Sequence, residues 1–259
     1  MKAIGIIPAR YASTRLAGKV LLDIAGKPMI QHVYERSAHS SLLNEVLVAT
    51  DDQRVLEVVM QFGGKAHLTS PGHLSGTDRV AEVASKLDAD IIVNIQGDEP
   101  LISARMIENT ILPLMEDAAV QMSTLCRRIT EAEEAFDPNV VKVVRDREGF
   151  ALYFSRAPIP YHRSLWRGIN SLPEKAAIAI GYKHFGLYAF RRDFLFRFSS
   201  LPPSPLEQLE QLEQLRALEN GYRIKVAETE EETIGVDTEQ DLERVRAVFK
   251  QQDEATNER

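Results

Sequence analysis

The chain carries one cysteine, Cys126, among its 259 residues. A lone thiol excludes an intrachain disulfide and any metal site built on cysteines, and it agrees with a reducing compartment. No glycine stands two positions after another, so the dinucleotide fingerprint G-x-G-x-x-G is excluded. No G-x-x-x-x-G-K-[ST] occurs either, which excludes a P-loop. The opening apolar run stops at Pro8 and soon meets Arg10. It is too short for a signal core or a membrane span, so the expectation is a cytoplasmic protein with no membrane insertion. Positive charge is in deficit, with a net charge of −7 at pH 7. That argues against a nucleic-acid coat protein, which needs a basic face. A small anionic ligand remains compatible, because a few local cations, helped by a divalent metal, can hold it.

What is present is the composition of a soluble globular protein, 44% hydrophobic and 27% charged. The length suits one large α/β domain carrying an insertion. Residues 1–250 are expected to form that domain, with an insertion or lid and dimerisation region at roughly 140–200 and a flexible tail at 251–259. In the first half, strands alternate with helices. A strand ends at Pro8, a helix starts at Lys27-Pro28, a strand spans 45–50, and Asp52 suits the N-cap of a helix that Gly63-Gly64 ends. A short strand follows at 66–68, a helix opens at Ser75-Gly76-Thr77-Asp78-Arg79, and Ile91-Ile92-Val93-Asn94-Ile95 reads as a central strand buried on both faces. This alternation predicts βαβ units and a mostly parallel sheet flanked by helices. Ligands in such sheets sit at the carboxyl ends of strands, where both the 9–19 loop and Asp98 fall.

The second half reads differently. A hairpin is expected over 140–145 and 151–154, then the proline-kinked 155–160, a loop with Trp166, and a strand over 183–191. The pairing expected here is mixed. Leucines at every third place in 206–216 predict one helix ending near Gly221, Ile234–Thr238 reads as a strand end, and a last helix runs from Glu239 to about Lys250.

The 9–19 loop sets Arg10, Arg15 and Lys19 among small residues and a glycine. Polyphosphate needs donors and positive charge close together, and small residues let backbone N–H groups approach it. The residues by themselves fit a phosphate-binding loop and a solvated basic loop equally.

Six blocks in order resemble bacterial CMP-Kdo synthetases, the 3-deoxy-manno-octulosonate cytidylyltransferases. They are 6–16 with Gly18-Lys19, Ser75-Gly76-Thr77-Asp78-Arg79, Asn94-Ile95-Gln96-Gly97-Asp98-Glu99-Pro100, 155–160, Leu212-Glu213-Gln214-Leu215-Arg216 and Gly235-Val236-Asp237-Thr238. The resemblance covers nearly the whole chain. It implies a Rossmann-like nucleotidyltransferase that uses CTP and Mg²⁺ to activate the sugar acid Kdo for lipopolysaccharide assembly, usually as a homodimer. Departures are small: Leu74 and Tyr161 stand where many members have other residues, and the repeated Leu-Glu-Gln triplets blur the register until Arg216 fixes it on Glu213 and Gln214.

By that resemblance the anomeric hydroxyl of Kdo attacks the α-phosphorus of CTP and pyrophosphate leaves. Arg10, Arg15 and Lys19 would hold the triphosphate, and Asp98 would share a Mg²⁺ with Asp237, each having an N-cap as its plainer alternative. Ser75, Arg79 and Gln96 are candidates for cytosine and ribose, with Arg79 otherwise a surface helical residue. Arg156, His184, Tyr188, Glu213 and Gln214 carry over as the sugar-acid set. Three rivals remain: a cytidylyltransferase for 8-amino-Kdo or a sialic acid, a catalytically silent nucleotide-binding protein, and an interaction module built on the 206–220 helix, whose apolar stripe is more simply core or dimer contact.

Overall fold

The computed structural model describes residues 1–12, 16–163, 166 and 181–257. They form two compact units, one of residues 1–108 with 232–259 and one of residues 109–231.

The first unit is built on a parallel sheet. Strand β1 (Ala3–Ala9) is followed by the two-residue strands β2 (Asp23–Ile24) and β3 (Lys27–Pro28), helix α1 (Met29–Ala38), β4 (Glu45–Thr50) and α2 (Gln53–Gln61). Then come β5 (Ala66–Leu68), α3 (Gly76–Ser85) and β6 (Ile91–Asn94), and α4 (Ala104–Glu116) holds the division between residues 108 and 109. The order β6-β1-β4-β5 is parallel throughout, with Ile4 opposite Glu45 on one side and Ile92 on the other. Every residue of β6, and every residue of β1 except Pro8, is buried. A strand covered on both faces needs a continuous apolar run, and that is why these two were readable.

The helix starts follow local chemistry. The Asp52 carboxylate accepts from Arg54 N at 2.9 Å, and Ser75 and Asp78 exchange the two bonds of a capping box at 3.0 and 3.1 Å. The closing helix, Glu239–Asn257, extends beyond Lys250 and buries Leu242, Val245 and Phe249 against Ile24, Met29 and Leu101. Spacings of three and four put those residues on one stripe, each contributing about 1.5–3 kcal/mol by burial.

The second unit pairs its strands in both senses, as expected of the mixed region. It contains β7 (Met122–Arg128), α5 (Ala132–Phe136), β8 (Lys142–Arg145), β9 (Ala151–Ser155), β10 (Tyr182–Arg191), α6 (Arg192–Ser200), α7 (Pro205–Glu210), α8 (Leu215–Glu219) and β11 (Lys225–Glu228). β11 runs parallel to β7, while β7 with β10, β10 with β8, and β8 with β9 are antiparallel. The β8–β9 turn is held by Asp146, whose Oδ1 accepts from Glu148 N and Phe150 N at 2.9 and 2.8 Å.

Two expectations fail. The 206–216 stretch is not one helix: α7 stops at Gln211, whose backbone is left-handed at φ 54°, and α8 begins at Leu215. The cause lies in the repeat itself. At 3.6 residues per turn a strict triplet spacing rotates by about 60° per step, so its leucines cannot share a face. Accordingly Leu209 is 80% exposed, while Leu212 and Leu215 are buried on the far side of the break. Residues 234–238 form no strand; Val236 is held by one backbone bond, to Asp98 O at 2.9 Å, and buries its side chain. The strand nearby is β11, which the sequence reading missed.

Candidate active site

In the first unit the carboxyl ends of β1 and β6 carry a convergent charged group. A Cβ at position 97 would lie 2.9 Å from Pro8 O, so only glycine lets the Gln96-Gly97-Asp98 turn pass against the end of β1. Gly18, at φ +65°, allows the loop to close, its N–H bonding Tyr11 O at 3.0 Å, and delivers Lys19. The Lys19 ammonium donates to Asp98 Oδ2 at 2.7 Å and to Asp237 Oδ1 at 3.1 Å. Burial works against its charge, but the Asp98 carboxylate, and after it Asp237, more than offset that and raise its pKa.

Neither aspartate is the helix cap that was its plainer alternative. Ser103 Oγ accepts from Met106 N at 3.1 Å at the start of α4, and Thr238 Oγ1 accepts from Asp241 N at 3.2 Å at the start of the closing helix. Both carboxylates are therefore directed at one cation. Glu99 accepts from Thr233 Oγ1 at 2.6 Å, which ties the 233–237 segment to the same turn.

Arg10 Nη2 donates to His73 O at 2.8 Å. The turn that presents this carbonyl is pinned by Glu82, which accepts from Ser70 N at 2.9 Å, bonds His73 Nε2 at 2.6 Å and receives Lys86 Nζ at 3.3 Å. Led by the Ser70 N–H and His73, these bonds bring the Glu82 pKa down to about 2. Sequence reading missed Glu82.

Ser75 and Arg79 have their side chains committed to the fold. Ser75 caps α3, and Arg79 has no exposed surface: its Nη2 bonds Asp51 Oδ2 at 2.7 Å and its Nη1 bonds Thr69 Oγ1. Arg79 is thus not the surface residue considered from sequence, and its guanidinium is already engaged by Asp51 and Thr69. Gln96 Nε2 reaches Asn94 Oδ1 at 3.4 Å. Arg15 lies outside the described residues.

In the second unit His184 and Tyr188 lie along β10, their rings 5.6 Å apart across a register shift between Phe185 and Tyr188. Thr124 Oγ1 sits 2.9 Å from His184 Nε2 and donates to the carbonyls of Leu187 and Phe185 at 2.8 and 3.1 Å. With its one proton directed at a carbonyl, that hydroxyl accepts from Nε2–H and leaves Nδ1 as the acceptor. Burial lowers the His184 pKa to about 3, so the ring is neutral and serves as a hydrogen-bonding group. Burial, and then the Glu213 charge, push the Tyr188 pKa well above its ordinary value. Gln214 is buried, and its Nε2 has no partner among the described residues.

Arg156 donates to three carbonyls: Nε to Glu210 O at 2.7 Å, Nη1 to Pro138 O at 2.9 Å and Nη2 to Gln211 O at 3.4 Å. Two further residues that sequence reading missed support it. Glu210 accepts the Arg156 backbone N–H at 2.9 Å, and Lys142, fully buried, donates to Asp137 O and Val140 O at 2.7 and 2.5 Å. A lysine in the run Val140-Val141-Lys142-Val143-Val144 was the available signal for a buried, satisfied cation.

The cytidylyltransferase family pattern matches residues 4–231. A relative from Geotalea uraniireducens (strain Rf4), named 3-deoxy-manno-octulosonate cytidylyltransferase, is 58% identical over 95% of this chain and 98% of its own. One of the same name from Geobacter sulfurreducens is 57% identical over the same shares. A solved structure of CMP:2-keto-3-deoxy-manno-octonic acid synthetase complexed with CTP superposes with a TM-score of 0.88 at 49% identity, over 97% of this chain and all of that one. A cytidylyltransferase structure from Leptospira borgpetersenii, 18% identical with a TM-score of 0.62, shares the fold. A pattern matched over most of the length, and relatives that cover it nearly end to end at more than half identity, establish that the chain belongs to the 3-deoxy-manno-octulosonate cytidylyltransferase family.

Proposed function

We propose that the protein transfers CMP from CTP to the anomeric hydroxyl of Kdo, giving CMP-Kdo and pyrophosphate for lipopolysaccharide assembly. The hydroxyl oxygen forms a bond to the α-phosphorus, the bond from that phosphorus to the β-phosphate oxygen breaks, and the hydroxyl proton goes to solvent. Both reactants are anions, so charge neutralisation and positioning are the main contributions.

The observation that carries this reading is the meeting of Asp98 and Asp237 on the Lys19 ammonium in a chain of this family. Two carboxylates that converge on one cation, completed by substrate phosphates, are the oxygen set Mg²⁺ takes, so Asp98 and Asp237 are the residues that would hold it. When bound, the metal supplies neutralisation of phosphate charge. Arg10 and Arg15 provide forked donors for phosphate oxygens, and Lys19 provides a point charge. Gln96 is the candidate for the base edge.

For Kdo, Arg156 meets the carboxylate, and three N–H groups given to carbonyls leave two of its five, among the described residues, for that ligand. Neutral His184, Tyr188, Glu213 and Gln214 supply hydroxyl partners, and the Nε2 of Gln214, unpaired among the described residues, supports that role. A homodimer is suggested by the family resemblance. A cytoplasmic location is suggested by the same resemblance.

The test is pyrophosphate release with CTP and Mg²⁺ against Kdo, its 8-amino analogue and a sialic acid. Kdo-dependent release with Kdo preferred is expected. No release, or preference for sialic acid, would remove the assignment.

A further inference from the structure

Arg156 follows directly on the end of β9, and its guanidinium is clamped by neutral oxygens. Carbonyls orient a guanidinium without cancelling its charge, so the fork stays available to an anion. Two of those carbonyls, of Glu210 and Gln211, point at Arg156 because the chain turns left-handed at Gln211, where α7 breaks off. The third, of Pro138, lies in a loop that the buried Lys142 grips on either side through Asp137 O and Val140 O.

Glu210 ties this arrangement together. Its carboxylate accepts from Ser155 Oγ at 2.6 Å, from Arg156 N at 2.9 Å and, at a longer 3.4 Å, from Tyr153 OH, so its charge is occupied by two hydroxyls of β9 and the backbone N–H that follows the strand. Its own carbonyl meanwhile takes the Arg156 Nε. One residue therefore fixes both the backbone at Arg156 and the plane of its side chain. Burial opposes the Glu210 charge, but the Arg156 N–H and the Ser155 hydroxyl outweigh it and keep the carboxyl ionised.

We infer that Glu210 is a positioning residue for recognition of the sugar acid, holding Arg156 in the one orientation that meets the substrate carboxylate. The inference rests on the reading of Arg156 given above. The repeated Leu-Glu-Gln triplets then divide by role, with Glu210 and Gln211 aiming the arginine while Glu213 and Gln214 serve the substrate's hydroxyls.

The test is steady-state kinetics on Glu210→Gln, Glu210→Asp, Arg156→Ala and the Glu210→Gln/Arg156→Ala double variant, with thermal melting of each. Glu210→Gln is expected to raise the KM for Kdo about ten- to a hundredfold, the range for a misplaced recognition group. The KM for CTP should stay within about twofold, and Glu210→Asp should recover part of the loss. The double variant should be no worse than Arg156→Ala alone, because both changes remove one interaction. Fully additive losses, or a lowered melting midpoint with the Kdo KM unchanged, would overturn the positioning role. If Glu210→Gln fails to fold, Ser155→Ala takes its place: it should raise the Kdo KM a few-fold only while Arg156 is present, and no rise overturns the inference. An Arg156→Ala variant that spares Kdo use would instead overturn the reading of the site itself, and the positioning role with it.

Discussion

Replacing Asp51 with alanine tests what Arg79 is for. The Arg79 guanidinium has no exposed surface, its Nη2 rests on Asp51 Oδ2 at 2.7 Å, and its Nε has no partner among the described residues. Its remaining bonds go to Thr69 Oγ1 and, at 3.5 Å, to Ser70 O, both uncharged. Asp51→Ala therefore leaves a buried cation without its counter-charge, a change that costs about 3–5 kcal/mol when a buried pair is broken from one side. The Asp51 side chain is 20% exposed, so water can enter the vacated space, and a cost of about 3 kcal/mol is expected. At roughly 2–4 °C per kcal/mol for a chain of this size, the melting midpoint should fall by about 6–12 °C. Removing the cation as well, in Asp51→Ala with Arg79→Met, should restore a good part of the loss, since an apolar pair carries no desolvation penalty. The assay is thermal melting followed by circular dichroism, with the KM for CTP measured alongside. A midpoint within about 2 °C of the wild type together with a tenfold or greater rise in the CTP KM would refute the reasoning and return Arg79 to the nucleotide.

Three further outcomes are expected. Asp98→Asn should keep the melting midpoint and lower turnover about a hundredfold or more, because the amide preserves shape while removing the ligand charge, and Asp237→Asn should follow more mildly; near-normal turnover at ordinary Mg²⁺ would contradict both. Lys19→Ala should impair turnover far more than stability, since the ammonium serves anions and no apolar core, and a large fall in midpoint with unchanged turnover would contradict that. Glu82→Gln should cost on the order of 1–2 kcal/mol at neutral pH, after allowance for its partial exposure. Its folded pKa, about 2, lies below the ordinary glutamate value of 4.5. The stabilisation is therefore fully present above pH 4.5 and lost as the pH falls toward 2, so urea midpoints of variant and wild type should converge between those values. A difference that stays constant with pH would show that the carboxylate charge is not involved.

The parallel half of the fold was legible because its signals are local. β1 and β6 are unbroken apolar runs, and Asp52 and Ser75 stand where caps are needed. Asp98 was placed at a strand end by the same logic; Asp237 was too, but residues 234–238 form no strand. Their junction through Lys19 was not, because it depends on the path of a glycine-turned loop across 79 and 218 residues of separation. The pairs Asp51–Arg79 and Glu82–His73 were hidden for the same reason: each links a helix to a loop whose course no periodicity encodes. The break at Gln211 could have been read from the triplet repeat, whose drift forbids a single apolar face. Glu210 could not, since three identical triplets give no sign of which one reaches β9.

The central claim is that the sugar hydroxyl attacks the α-phosphorus, and the most direct measurement follows an oxygen. Kdo bearing heavy oxygen at its anomeric hydroxyl is turned over with unlabelled CTP and Mg²⁺, and the products are examined by phosphorus NMR and mass spectrometry. The account predicts CMP-Kdo with the heavy oxygen in the bridge between sugar and phosphorus, and unlabelled pyrophosphate. Heavy oxygen lost from the bridge, or nucleotide cleaved without a sugar adduct, would contradict it.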